Sequence, residues 1–297
     1  MIDIPRILCP VDFSDISRHA LEHAITIAEW YHSRVTALHV VPHEYPLPPA
    51  LLFAELETAG AAERAAIAEE HLTAWLLPAD RRDVSIDAVV EHGDAARAIL
   101  RHATFDEFDL VVMGTHGYSG FERFVLGSVA EKVLRKSQCP VLTVPPKTAS
   151  DAEVPYRRVL CPVDFSPSSL EALRFAFSIA EESDAALTIL NVLDYPAEDW
   201  LLFARSEALE FRRHVEGETR QQLESLVGGD ERVWCRPQTR MEIGKAYERI
   251  LAVAAEMRAD LIVMGVRGRN PMDLALFGST TNHVVRSAPC PVLTLRK

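Results

Sequence analysis

One stretch of this chain is written twice. Arg6-Ile7-Leu8-Cys9-Pro10-Val11-Asp12-Phe13-Ser14 returns as Arg158-Val159-Leu160-Cys161-Pro162-Val163-Asp164-Phe165-Ser166, with eight of nine residues identical at an offset of 152. Leu110-Val111-Val112-Met113-Gly114 returns as Leu261-Ile262-Val263-Met264-Gly265, and Gln138-Cys139-Pro140-Val141-Leu142-Thr143 as Pro289-Cys290-Pro291-Val292-Leu293-Thr294, both at an offset of 151. Solenoid repeats have periods of roughly 20–50 residues, so this near-constant, longer offset means two copies of one domain. The fold must therefore close within about half of 297 residues and be built twice. The expected boundaries are a first domain over 1–146, a polar, Pro-containing linker over 147–156 and a second domain over 157–297.

Within each copy, short apolar runs alternate with longer helical patterns. In the first, Arg6–Val11 reads as a strand; Ser14 then caps a helix to about His32, with Ala20, Leu21, Ala24, Ile27 and Ala28 on one face. Val35–Val41 is the second strand, Ala50–Leu77 a long helical region, and Val84–Glu91 the third strand. Gly93 or Asp94 opens a helix to about His102, Leu110–Met113 is the fourth strand, Ser128–Lys136 a helix and Val141–Val144 the last strand. All-apolar strands separated by helices imply a parallel sheet covered on both faces, hence two α/β domains of five strands each.

Composition bounds the function. With 48% apolar residues, both copies have enough mass for a packed core. No uncharged apolar run approaches the ~18 residues of a membrane helix. The start, Met1-Ile2-Asp3-Ile4-Pro5-Arg6, lacks a signal-peptide layout, so a cytoplasmic protein is expected. The formal charge of −12 repels a nucleic-acid backbone, although a local basic patch can still hold an anion. Five Cys do not form an even disulfide framework.

The chemistry concentrates after the fourth strand. Gly114-Thr115-His116-Gly117, nine residues, then Gly127-Ser128 is matched by Gly265-Val266-Arg267-Gly268, nine residues, then Gly278-Ser279, so both copies read Gly-x2-Gly-x9-Gly-Ser. Glycines at a strand's carboxyl end let the backbone approach a ligand closely. Gly-Ser at a helix start leaves backbone N–H groups pointing outward, where the helix dipole also favours an anion. In a parallel sheet, ligands sit beyond the strands' carboxyl ends, where the strand order reverses. Arg267 and Arg269 stand where the first copy has His116 and Tyr118; they would favour a more anionic ligand end, or would simply be solvated loop cations.

On these residues the chain resembles the universal stress protein family in its tandem, two-domain form. The likeness covers essentially the whole chain, including Cys-Pro-Val-Asp-Phe-Ser, Leu38-His39-Val40 with Leu190-Asn191-Val192, and Cys-Pro-Val-Leu-Thr. It implies two Rossmann-like domains, each with a five-stranded parallel sheet in the order 3-2-1-4-5 and helices on both faces, with the Gly-x2-Gly-x9-Gly-Ser pattern as an ATP-binding signature. It further implies a first site of Pro10, Val11, Asp12, Val40, Met113, Gly114, Gly117, Gly127, Ser128 and Val129, and a second of Pro162, Val163, Asp164, Val192, Met264, Gly265, Arg267, Gly268, Gly278, Ser279 and Thr280. Asp12 and Asp164 would bind the ribose hydroxyls and the backbones of Val40 and Val192 the adenine edge; the glycines, serines, Val129 and Thr280 would cradle ribose and phosphates. The implied ligand is ATP, or AMP or ADP in its place, with Mg as an optional companion. A stress-responsive role goes with it, in which occupancy alters contacts with an unknown protein partner. Pairing of the last strands, Val141–Val144 and Val292–Leu295, across the two domains and a homo-dimer are also implied, with no nucleic acid and no membrane as partners. The rivals are a slow ATPase on the same loops, a nucleotide-independent scaffold and use of one site alone.

Other signals carry less. His19-Ala20-Leu21-Glu22-His23 matches a metalloprotease pattern, but the second copy has Glu171 and Phe175 there, and a partly exposed helix face is expected. Cys9, Cys139, Cys161 and Cys290 all precede Pro and read as small buried apolar residues; nothing marks Cys235 as reactive. Walker, G-x-G-x-x-G and G-x-S-x-G motifs are absent, which favours binding over fast catalysis. The apolar starts of the long helical regions, Leu51–Ala54 and Leu201–Ala204, are expected to pack on the sheet.

Overall fold

A computed structural model describes residues 2–42, 66–77, 83–105, 108–116, 126–146, 156–195, 206–227, 237–266 and 278–296. The chain divides into two compact units, one of Asp3–Val154 and one built on Pro155–Lys297. The first unit runs β1 (Arg6–Val11), α1 (Asp15–Tyr31), β2 (Arg34–Val41), α2 (66–76), β3 (Ile86–His92), α3 (Ala95–Phe105), β4 (Leu110–Gly114), α4 (Ser128–Lys136) and β5 (Val141–Val144). The second repeats the plan as β6 (Arg158–Pro162), α5 (Pro167–Ser183), β7 (Ala186–Leu193), α6 (Ser206–Ser225), β8 (Gln238–Ile243), α7 (Ala246–Glu256), β9 (Leu261–Gly265), α8 (Ser279–Ser287) and β10 (Val292–Leu295). Residues 50–65 of the expected long helix, Leu51–Ala54 and Leu201–Ala204 lie outside the described residues.

Each unit holds a parallel sheet in the expected order: β3-β2-β1-β4-β5 in the first and β8-β7-β6-β9-β10 in the second. Strands buried on both faces need side chains that are apolar throughout, and Ile7, Leu8, Cys9, Val111 and Val112 are all fully buried. Right-handed crossovers put α1 and α2 on one face; the step from β3 back to β4 reverses direction and puts α3 and α4 on the other. The reversal lies between β1 and β4, and in the second unit between β6 and β9.

The first helix of each unit starts the same way. Ser14 accepts from Ser17 N–H at 3.1 Å, and Ser166 from Ser169 N–H at 3.3 Å, so one open donor of each helix is capped. Both helices end on a left-handed residue, His32 and Asp184. α3 runs one turn beyond the expected His102, to Phe105, and β3 starts at Ile86 instead of Val84.

Candidate functional site

The sheets open at the point of reversal, and a proline opens them. β1 pairs with β4 only at Ile7↔Leu110 and Leu8↔Val111, and β6 with β9 only at Val159↔Leu261 and Leu160↔Ile262. Val163 N–H donates to Leu190 O at 2.8 Å, toward β7. Backbone groups alternate sides along a strand, so the preceding residue, Pro162, faces β9 and has no N–H to give. Pro10 is its counterpart in the first unit. Beyond it the strands part, and a cleft forms.

Asp12 and Asp164 sit at the mouths of the two clefts, each fixed by the turn behind it. Ser14 donates to Asp12 Oδ1 through its hydroxyl (2.6 Å) and its N–H (3.2 Å); Ser166 does the same to Asp164 Oδ1 (2.5 and 3.0 Å). The residue between them is forced left-handed, with φ 66° at Phe13 and φ 62° at Phe165. Bulky residues rarely adopt that conformation, and strain of this kind clusters at functional sites. The matching carbonyls of Val11 and Val163 are taken by different side chains: His39 Nδ1–H donates to Val11 O (2.9 Å) and Asn191 Nδ2 to Val163 O (2.8 Å).

The opposite wall is built from close approach. A Cβ on Gly114 would stand 2.6 Å from Ile16 Cγ2; on Gly265 it would stand 2.7 Å from the Ser168 backbone carbon and 2.8 Å from Ser169 N. Glycine at both positions lets the β4 and β9 ends come this close to the first turns of α1 and α5. A Cβ on Gly278 would stand 2.7 Å from Val266 O, and Gly127 N–H donates to Thr115 O at 2.8 Å. α4 and α8 then begin with Gly127 and Gly278 at their N-caps and no side-chain cap on either helix. In contrast to α1 and α5, these ends present first-turn N–H groups and the positive end of the helix dipole.

The expected residues converge. Pro10, Val11, Asp12, Val40, Met113, Gly114, Gly127, Ser128 and Val129 line one cleft. Pro162, Val163, Asp164, Val192, Met264, Gly265, Gly278, Ser279 and Thr280 line its counterpart. Gly117, Arg267 and Gly268, with Tyr118 and Arg269, lie outside the described residues. The clefts also take in residues not expected: Ser17, Leu38, Ala95 and Ile99 in the first, and Ser169, Leu190, Ala246 and Ile250 in the second. Each of these pairs recurs at the repeat offset, and Ala95 and Ile99 are one helical turn apart on α3, which is the signal that marks them. In the first unit the Phe13 ring also packs against His39 (4.3 Å), His71 (4.2 Å) and Trp75 (5.9 Å), and the Arg18 guanidinium lies 3.5 Å over Trp75, tying α2 to the Asp12 loop. No sequence signal announces that cluster.

The histidine pair on α1 departs from expectation. His19 and His23 are buried instead of partly exposed, with Nε2 atoms 3.3 Å apart and Glu22 Oε2 3.1 Å from His19 Nδ1. No group of three metal-ligating side chains occurs among the described residues. Cys9 and Cys161 are buried as expected, and burial pushes the Cys9 thiol up to about 12 and that of Cys161 higher still. Cys235 lies outside the described residues.

Comparison with known proteins decides the kinship. The model of the universal stress protein family matches twice, over residues 4–145 and 155–296. The chain belongs to the universal stress protein family. Among curated members, universal stress protein MJ0531 of Methanocaldococcus jannaschii is 36% identical over 144 residues, 47% of this chain and 81% of that protein. Universal stress protein Rv2005c of Mycobacterium tuberculosis is 28% identical over 198 residues, 65% of this chain and 63% of that protein. The match thus spans less than two thirds of that mycobacterial relative. A universal stress protein crystal structure from Archaeoglobus fulgidus shares the fold at TM-score 0.63 and 21% identity, covering 98% of this chain and 96% of that one. A functionally unknown protein of Pseudomonas aeruginosa, PA1789, does so at TM-score 0.66 and 21% identity, covering 99% and 92%. No helix among the described residues is long and apolar enough to cross a membrane.

Proposed function

We propose that each unit binds one adenine nucleotide, ATP or in its place ADP or AMP, and that occupancy sets how the protein meets its partners in a cellular stress response. One observation carries the reading. In both units a fixed aspartate, a glycine strand end and an uncapped helix N-terminus converge on a cleft at the point of strand reversal. That combination supplies a hydroxyl acceptor, room for close backbone approach and an anion-binding helix end.

The residues fit such a ligand. Asp12 and Asp164, held by Ser14 and Ser166, accept from the ribose hydroxyls. Leu38, Val40 and Ile99, with Leu190, Val192 and Ile250, provide an apolar wall for the base. Amides of Ser128, Val129 and Ala130, and of Ser279, Thr280 and Thr281, face the phosphates; Thr281 Oγ1 is steadied by a bond to Gly265 O at 3.1 Å. Mg would accompany a polyphosphate as a counter-charge. The reading is one of binding rather than turnover, in a cytoplasmic protein that forms dimers.

Acid release and chromatography of the purified full chain tests it. Adenine nucleotide should be recovered; none recovered, together with no binding of added ATP, would overturn the reading.

A further inference from the structure

α3 and α4 present two faces. One lines the first cleft through Ala95, Ile99 and Ser128–Ala130. Between their outer sides runs a separate groove walled by Arg97, Arg101, Lys132 and Lys136, with Asp94 at one end. Arg97 and Arg101 are one turn apart on α3, and Lys132 and Lys136 one turn apart on α4, so two rows of cations face each other across it. Four cations against Asp94, and Glu91 paired with Arg101 beside it, leave the groove a charge of +2, in a chain whose net charge is −12.

Helix stability does not account for this arrangement. Like charges one turn apart on a helix repel. Arg97 lies in the first turn of α3, where the dipole disfavours a cation; the acidic residue at this end is Asp94 just before the helix, whose Oδ1 accepts from Arg97 N–H at 2.8 Å. The repeat-equivalent residue on α7 is Glu248, the sign the dipole favours. The other equivalents are Ala252, His283 and Ser287, so the second unit carries no permanent cation at any of the four positions. Ion pairs offset part of the charge: Arg101 reaches Glu91, and Lys132 Nζ lies 3.7 Å from Asp94 Oδ2. All four cations are nevertheless exposed.

We propose that this groove is a docking surface for an acidic segment of a partner protein, its carboxylates seated between the two rows of cations. A short acidic segment matches the groove locally, whereas a nucleic-acid backbone must approach against the field of the whole chain.

Fluorescence anisotropy of a short fluorescein-labelled polyglutamate peptide, titrated with the full chain at low ionic strength, tests this. The double variant R97E/K136E should bind about tenfold more weakly or worse, since it turns two attractions into repulsions. R213E/R220E, which changes net charge equally on α6, should leave binding unchanged, and circular dichroism checks that both variants fold. Four results would overturn the proposal: no binding by the unaltered chain; equal loss in both double variants; an oligonucleotide of matched charge binding more tightly than the peptide at the same groove; or self-association of the unaltered chain that R97E/K136E abolishes, which would make a second copy the occupant.

Discussion

Pro10 and Pro162 look misplaced inside strands, yet each sits where a missing N–H does the least harm and parts the sheet. Gly114 and Gly265 act from the other side, but they are not equally replaceable. A Cβ at Gly265 meets the backbone of α5 first, whereas at Gly114 its nearest neighbour is a side-chain methyl of Ile16. Overpacking costs about 1–3 kcal/mol, so Gly265→Ala should fall near the top of that range and Gly114→Ala near the bottom. Chemical denaturation of each variant, with the two units allowed separate transitions, checks the order. Cys9 and Cys161 make a second residue-scale prediction. Full burial and a thiol pushed up to about 12 or beyond keep both uncharged at neutral pH, so a thiol reagent should label them only after denaturation. Mass mapping of the labelled peptides reads this directly.

At the scale of elements, helix ends divide the labour. α1 and α5 are capped by their own serines, while α4 and α8 leave their ends open to a ligand. Ser14→Ala should cost about 1 kcal/mol as a lost cap and release Asp12 as well, so nucleotide affinity should fall further than stability alone explains. Parallel thermal melts and ATP titrations separate the two effects. On β3, Glu91 binds His102 Nε2 at 2.7 Å and also Arg101, clamping β3 to α3. Burial pushes its carboxyl up, but the bonds from His102 and Arg101 outweigh this and hold it below the ordinary 4.5. A carboxyl lowered in the folded state contributes stability above its unfolded pKa and loses it as pH falls through the folded one. The stability gap between the unaltered chain and Glu91→Gln should therefore shrink as pH drops from about 5 to 3; a constant gap would contradict the clamp.

For the molecule as a whole, the duplicated sequence was the most legible feature, because two copies of one pattern must fold alike. α4 and β5 fall at their expected limits because Gly127 and the Ser137–Pro140 turn punctuate them sharply. The cleft residues were legible where chemistry dictates type, as at Asp12, Gly114 and Gly127. They stood out less where packing brings them in, as at Leu38 and Ile99: the repeat doubles them, but their apolar side chains look like any core residue. The burial of His19 and His23 was hidden for the same reason: a pattern on one helix does not tell what packs over it.

A duplicated cleft that is a duplicated binding site must lose its ligand one copy at a time. Ser128→Asp and Ser279→Asp test it without breaking the fold, since an acidic residue in a first helical turn stabilises the helix while repelling phosphate. The decisive measurement is the stoichiometry of ATP binding by calorimetry for the unaltered chain, each single variant and the double variant. Two sites per chain, one in each single variant and none in the double variant is the predicted result. A double variant that binds as the unaltered chain does would mean that the nucleotide sits elsewhere.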